Sequence, residues 1–276
     1  MAGKTIRKVE LRRPDLRFPL PADFAGRLEG QRVGLVGRRA KYLLIGLANG
    51  DTVIAHLGMS GSFRIIEAAA EDAPGLFHAP RGKDPAHDHV VLGLNGATII
   101  YNDPRRFGFM TIAETTGLDA HPLLKDIGVE PLSAAFTAER LASLFAKVKA
   151  PLKSALLDQK RVAGLGNIYV CEALHRARLS PMAAASSLAD RSGRPNARAG
   201  TLVKAVNATL KAAIEAGGSS LRDHRLTDGS LGYFQHRFAV YDREGAPCLR
   251  RGCAGTVKRI VQGGRATFFC ADCQRG

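Results

Sequence analysis

The residues with the clearest chemical meaning lie at the end of the chain. Four of the five cysteines fall in the pattern Cys248-x4-Cys253-x16-Cys270-x2-Cys273. Two close pairs separated by a loop can place four thiolates tetrahedrally around one Zn²⁺. Four protein ligands leave no open position for a substrate, so such a zinc is structural rather than catalytic. Four reduced structural thiols are the plain alternative. The intervening TVKRIVQGGRATFF reads as strand, Gly263-Gly264 turn and strand, with Lys258, Arg259 and Arg265 expected at the tip of a hairpin, where they suit phosphates.

Three further segments carry chemistry. Gly164-Leu165-Gly166-Asn167 opens a helix, with Asn167 read as its cap and Lys153, Lys160 and Arg161 just upstream. A helix N-terminus offers free N–H donors to a phosphate, although a short turn of this kind is also an ordinary helix connection. HLGMSGSFR (56–64) and YNDPRRFG (101–108) both follow strand-like runs. Met59, Arg105 and Phe107 therefore have two readings. On residue type alone, Met59 and Phe107 belong in a core and Arg105 is a solvated charge. If exposed, the three form a set that can wedge into a duplex from which a base has been extruded.

Positioning these groups requires a scaffold, and 276 residues with 45% hydrophobic content suffice for two cores and exclude wholesale disorder. Lys plus Arg number 40 against 25 Asp plus Glu, a net charge of +15, which points to a polyanionic partner. No apolar run approaches the ~20 residues needed to span a bilayer, and Met1–Arg13 has no apolar stretch of the secretory kind; the expectation is a soluble cytoplasmic protein. The first third reads as strands: 5–11, 42–47 and 52–57 around Asn49-Gly50, 89–94 and 97–103 around Asn95-Gly96, and 107–114. Residues 67–88 read as a long loop. Helical periodicity follows, with Leu141, Leu144, Phe145 and Val148 on one face behind a Thr137 cap. Leu202, Val206, Leu210 and Ile214 form another face, closed by Gly217-Gly218. Residues 185–200 read as a surface loop, and Cys171 as a packed side chain without a redox role. The expected class is α+β multidomain: an N-terminal β-sandwich (1–116), a helical domain (117–240) and a zinc-finger β-hairpin (241–276).

Together, RRAKYLL (38–44), HLGMSGS (56–62), HDH (87–89), DPRRFG (103–108), LLDQKRVAGLGNIYVCEAL (156–174) and the four-cysteine hairpin resemble the bacterial formamidopyrimidine-DNA glycosylases. Met59, Arg105 and Phe107 resemble that branch rather than its sister, endonuclease VIII. The resemblance implies a β-sandwich and a domain with a helix–two-turn–helix and zinc hairpin, with DNA held in a cleft between them. It implies removal of oxidised purines such as 8-oxoguanine and formamidopyrimidines from double-stranded DNA, then β,δ-elimination at the abasic site. The protein would carry one structural Zn²⁺ and act as a monomer in the bacterial cytoplasm and nucleoid. Lys41 matches the lysine that assists β-elimination, and Arg265 the hairpin arginine of δ-elimination. His87, Arg105 and Lys149 match DNA-contacting positions, Lys153 and Asn167 a phosphate grip, and Met59, Arg105 and Phe107 the void-filling set. Residues 217–234 match the segment that closes over the extruded base.

One departure stands out. The family's nucleophile is the secondary amine of an N-terminal proline in a PELPEVE-like segment, followed by an acidic glutamate. Here the sequence reads Met1-Ala2-Gly3-Lys4, and Ile6–Leu16 match a later part of the pattern. A start codon placed at an internal Met is the expected cause. A catalytically dead protein that still binds lesions or abasic sites is the alternative, and a substitute amine at Ala2 or Lys41 fits least, because near-attack geometry tolerates only about 1 Å of displacement. A zinc-ribbon RNA-binding protein is a third reading, against which the wedge set speaks.

Overall fold

The computed structural model describes residues 1–67, 84–219 and 232–275. The chain divides into two units, one built on Met1–Lys125 and the other on Asp126–Gly218 and Tyr233–Gly276.

The first unit is a sandwich of two antiparallel four-stranded sheets. One has the order β1 (Ile6–Leu11), β6 (Asp88–Leu94), β7 (Ala97–Asn102), β5 (Ser62–Glu67); the other has β2 (Val33–Arg39), β3 (Tyr42–Leu47), β4 (Asp51–His56), β8 (Phe109–Glu114). Strand alternation turns Ile6, Val9 and Leu92 of one sheet and Val33, Ile45, Val53 and Met110 of the other into a single core. The short helix α1 (Phe24–Leu28) adds Phe24 and Leu28 to it. The β3–β4 connection has three residues, Ala48 to Gly50, rather than the two expected, and only Gly50 has positive φ. That is the turn-plus-bulge form of hairpin, not the two-residue form. Of the expected loop at 67–88, residues 68–83 lie outside the described residues, and Pro85–His87 is one turn of 3₁₀ helix.

The second unit is helical: α2 (Ala138–Phe145), α3 (Leu152–Leu157), α4 (Asn167–Ala177) and α5 (Ala197–Glu215), followed by the hairpin β9 (Val257–Gln262) and β10 (Arg265–Cys270). Thr137 caps α2 by accepting from Arg140 N at 3.1 Å. α4 is buried on nearly every side. Val170 and Leu174 join the helical core, while Cys171 packs with Val240, Val257 and Phe268 under the hairpin. This helix therefore fixes the zinc module to the helical core.

Two expectations need correction. Ile214 is 68% exposed although Leu202 and Val206 are fully buried, so the apolar face of α5 stops a turn early. Residues 185–200 are not a plain surface loop. Ala185 and Leu188 are buried on a 3₁₀ turn, and α5 begins at Ala197 behind an Asn196 cap. The polar residues between them hid two core anchors. Among the described residues, no helix is long and apolar enough to cross a membrane.

Candidate nucleic-acid interface and metal centre

In the first unit, the loops after β4 and β7 lie against each other. A Cβ on Gly58 would stand 2.6 Å from Gly108 N, and one on Gly108 would collide with the Tyr101 hydroxyl, so side chains are excluded where the loops meet. Gly58 also has φ +65°. The loops converge on Asp103, which is fully buried. Its carboxylate accepts from Ser60 Oγ, from Tyr101 Oη at 3.0 Å and from Gly108 N at 2.8 Å. Its carbonyl lies 2.9 Å from His89 Nε2, and its N–H donates to His87 O at 3.0 Å. Burial and the Asp103 charge push the Tyr101 phenol well above its ordinary range, so it remains a donor.

This hub leaves the flanking side chains outside. Met59 is 59% exposed and Phe107 42% exposed, which corrects the expectation from residue type that both are core. The Arg105 guanidinium lies over the Phe107 ring, 4.6 Å from its centroid, a cation–π contact that orders both. Lys41 is exposed in the β2–β3 turn, next to Ala40 with φ 51°. His56, which feels the Lys41 charge, braces the Met59 loop. The ring stacks on Phe109 at 5.7 Å, and Nδ1 accepts from Gly58 N at 2.9 Å. Burial, then the charges of Lys41 and Arg17, hold His56 below its ordinary value, so Nδ1 stays available as an acceptor. His87 is half-exposed, and its side chain lies 4.0 Å from Asp84.

In the second unit, Lys153, Asn167 and Arg265 come together at the start of β10. Lys153 is fully buried and donates to Ala266 O at 2.9 Å and Thr267 Oγ1 at 2.6 Å. Burial pushes its pKa down, and Arg265 acts in the same direction. Asn167 is not the helix cap. Gly166 takes that position, and the Asn167 amide donates instead to Ala266 O at 2.9 Å and Tyr241 Oη at 3.5 Å. Its Oδ1 is buried without a partner. Arg265 is exposed beside the Gly263-Gly264 turn. Lys258 and Arg259 are not at the tip: they pair with Phe269 and Phe268, toward the base of the hairpin. Lys149 stands exposed between α2 and α3, apart from this cluster in its hydrogen bonding. Of the 217–234 match, residues 220–231 lie outside the described residues.

The four cysteine sulfurs lie within 4.8 Å of one another, with Cys248–Cys273 at 3.8 Å and Cys253–Cys270 at 3.7 Å. Four sulfurs about 2.3 Å from a tetrahedral zinc are about 3.8 Å apart, so the residues fit this ion. Burial pushes the Cys273 thiol up to about 12, with Cys270 and Cys248 acting in the same direction. A divalent cation among such sulfurs displaces their protons. His175 Nε2 lies 3.4 Å from Cys248 Sγ. Burial first and Arg250 next push that imidazole down to about 4, so it is neutral and its N–H is suited to orient the sulfur.

Several contributors were not singled out from sequence. Asp103 was visible only as part of DPRRFG, where an acid before Pro signals a turn. His56 was visible only within HLGMSGS. Glu172 accepts from Ala239 N, Val240 N and Tyr241 N at 2.8–3.0 Å and thereby sets Tyr241 beside Asn167; nothing in its local sequence marks it.

Comparison with known proteins covers the whole chain. Residues 1–110 match the formamidopyrimidine-DNA glycosylase N-terminal domain, 127–225 the formamidopyrimidine-DNA glycosylase H2TH domain, and 245–276 a zinc finger found in FPG and IleRS. Over 276 residues the chain is 60% identical to the formamidopyrimidine-DNA glycosylase of Beijerinckia indica subsp. indica, covering all of this chain and 94% of that protein. The same-named protein of Agrobacterium fabrum is 56% identical, with the same coverage. Among solved structures, the MutM (Fpg) protein of Thermus thermophilus gives a TM-score of 0.80 at 40% identity, covering 99% of this chain and 92% of that one. Lactococcus lactis Fpg in complex with DNA containing an abasic site gives 0.82 at 30% identity, covering 100% and 94%.

Proposed function

The chain belongs to the formamidopyrimidine-DNA glycosylase family, and from that premise we infer how its residues share the work of excising oxidised purines from duplex DNA and cleaving the abasic site. The observation that carries the reading is the exposed Met59, Arg105 and Phe107 set on loops braced by a buried carboxylate. Exposed apolar side chains on a rigid support are suited to fill the void left by an extruded nucleotide, which offsets part of the few kcal/mol that unstacking costs. Arg105 stays aligned with Phe107 through the cation–π contact and meets the duplex as a positive charge. His87 and Lys149 add further phosphate contacts.

In the second unit, Arg265 takes a phosphate flanking the lesion. Lys153 and Asn167 hold Ala266 in place from two sides, and the N–H groups of the Lys153 ammonium and the Asn167 amide are the donors that reach toward the phosphate. The zinc supplies no reaction step; its four thiolate bonds fix the hairpin that carries Arg265.

The covalent step uses a secondary amine that attacks C1′ of the sugar as the base departs, giving a Schiff base. Elimination then breaks the C3′–O bond, and Lys41 assists the proton transfer. The proline that supplies the amine in the family is not among these 276 residues. The reading of a catalytically dead lesion-binding protein gains no support from the relatives, which carry the glycosylase name. Its substrate being genomic DNA and its relatives bacterial, the protein works in the cytoplasm at the nucleoid.

The test is borohydride trapping on duplex DNA carrying 8-oxoguanine opposite cytosine. It compares the chain as written with one extended at its N-terminus by a proline-first PELPE-type segment. The extended protein is expected to release 8-oxoguanine and form a covalent adduct. Binding with neither product would leave the DNA-binding alternative in its place, and trapping by the unextended chain would assign the nucleophile to another amine.

A further inference from the structure

A cavity of about 540 Å³ opens in the second unit at the C-terminal end of α4, walled by Arg176, Arg178, Arg237, Arg250 and Arg251. It is remote from the grip around Asn167. Arg178 follows that residue by eleven positions along the helix, about 16 Å at the usual rise. Arg250 is committed to the backbone, donating to the carbonyls of His175 and Arg176. The side chains of Arg176, Arg178, Arg237 and Arg251 make no hydrogen bond or ion pair among the described residues.

The cavity contains little to offset this charge. Among the described residues its one carboxylate, Glu172, is buried, and both its oxygens are occupied by the backbone N–H groups of residues 239–241. Thr209, 1% exposed, lines the same wall, and its Oγ1 has no partner. The Arg250 Nε is likewise buried and unpaired. Guanidinium forks match phosphate oxygens in pairs, and a bound polyanion relieves their mutual repulsion. The volume is that of a small-molecule site rather than of a single ion. Phe234, Ala212 and the 64%-exposed Leu249 give it apolar walls beside the arginines, as a nucleoside requires.

We propose that this cavity is a second phosphate site, separate from the lesion grip, built for a nucleotide-type phosphate group. The group comes either from a free nucleoside diphosphate or from the backbone of a DNA segment beyond the lesion. The two sources share the chemistry and differ in the experiment.

The test uses the zinc-loaded full chain and the variant Arg237→Ala/Arg251→Ala, whose side chains make no hydrogen bond or ion pair among the described residues. ADP and pyrophosphate are titrated calorimetrically, and affinity is measured against salt for two duplexes. One ends near the lesion; the other is longer by about 20 base pairs, two helical turns. A free nucleotide as ligand predicts ADP binding weakened at least about tenfold by the double substitution. DNA as ligand predicts a salt slope smaller by about two in the variant on the long duplex and unchanged on the short one. Should the variant lose zinc, Arg237→Ala alone carries the same test, with a salt slope smaller by about one on the long duplex, and Thr209→Val repeats the ADP titration without the unpaired hydroxyl. Equal behaviour of wild type and variant toward ADP, pyrophosphate and both duplexes overturns the proposal. Affinity for the short duplex, unchanged in every case, separates that outcome from a failure of the glycosylase reading.

Discussion

In the first unit, Met59 and Phe107 stand on loops drawn together by a buried carboxylate, whereas in the second Arg265 stands on a hairpin held by four sulfurs and the buried ammonium of Lys153. The first arrangement is made of hydrogen bonds to one side chain and is complete when the sandwich folds. The second spans only about thirty residues of hairpin and knuckle, too few for a core of their own, and depends on an added ion. The comparison teaches where each unit is vulnerable: one at a single acceptor, the other at its metal.

Chelation of zinc should have the largest effect. Structural zinc sites contribute about 10–16 kcal/mol of apparent folding free energy, so amide exchange throughout β9 and β10 should become fast while β6 and β7 stay protected. Equal loss of protection in both units would break the comparison. Next in size is Asp103→Asn, which replaces an acceptor of three bonds by a group that must donate, a cost of about 3 kcal/mol. The first unit's melting transition should fall, with zinc content unchanged.

Lys153→Met keeps the buried stem and removes two hydrogen bonds, a loss of about 1–2 kcal/mol, and it also predicts a pH signature. In the folded chain Lys153 titrates below its ordinary value. As pH rises from that lowered value toward the unfolded one near 10.4, the folded state loses its proton first and stability increases. Urea unfolding across that window should show the rise in wild type and not in the variant. Smallest is Met59→Ala, whose stability effect should stay within about 0.5 kcal/mol because the side chain is exposed. In the proline-extended protein the same substitution should nonetheless slow single-turnover excision well below the unsubstituted rate, which sharpens the division between scaffold and wedge.

Much of this was legible in the sequence, for identifiable reasons. Cysteine spacing encodes zinc geometry directly, and Asn-Gly dipeptides mark hairpins because glycine tolerates positive φ. The wedge residues were legible only as a motif, since a Met or Phe carries no mark of exposure; what exposes them is Asp103, which holds their loops away from the core. Asn167 was misread as a cap because its partner, Ala266, lies 99 residues away. The charges on β9 were misplaced because distance from a hairpin turn depends on register. Glu172 was missed because its role is to satisfy backbone donors 67 residues on.

The most direct test of the division of labour uses the proline-extended, zinc-loaded protein and two paired variants, Met59→Ala/Phe107→Ala and Asn167→Asp/Arg265→Ala. Single-turnover release of 8-oxoguanine is measured beside affinity for duplex DNA that already contains an abasic site. The wedge pair should slow release at least about tenfold, a barrier change of about 1.4 kcal/mol, with little change in abasic-site affinity. The grip pair should weaken that affinity by a similar factor. If both pairs shift release and affinity by the same factors, the two units do not divide the work as described.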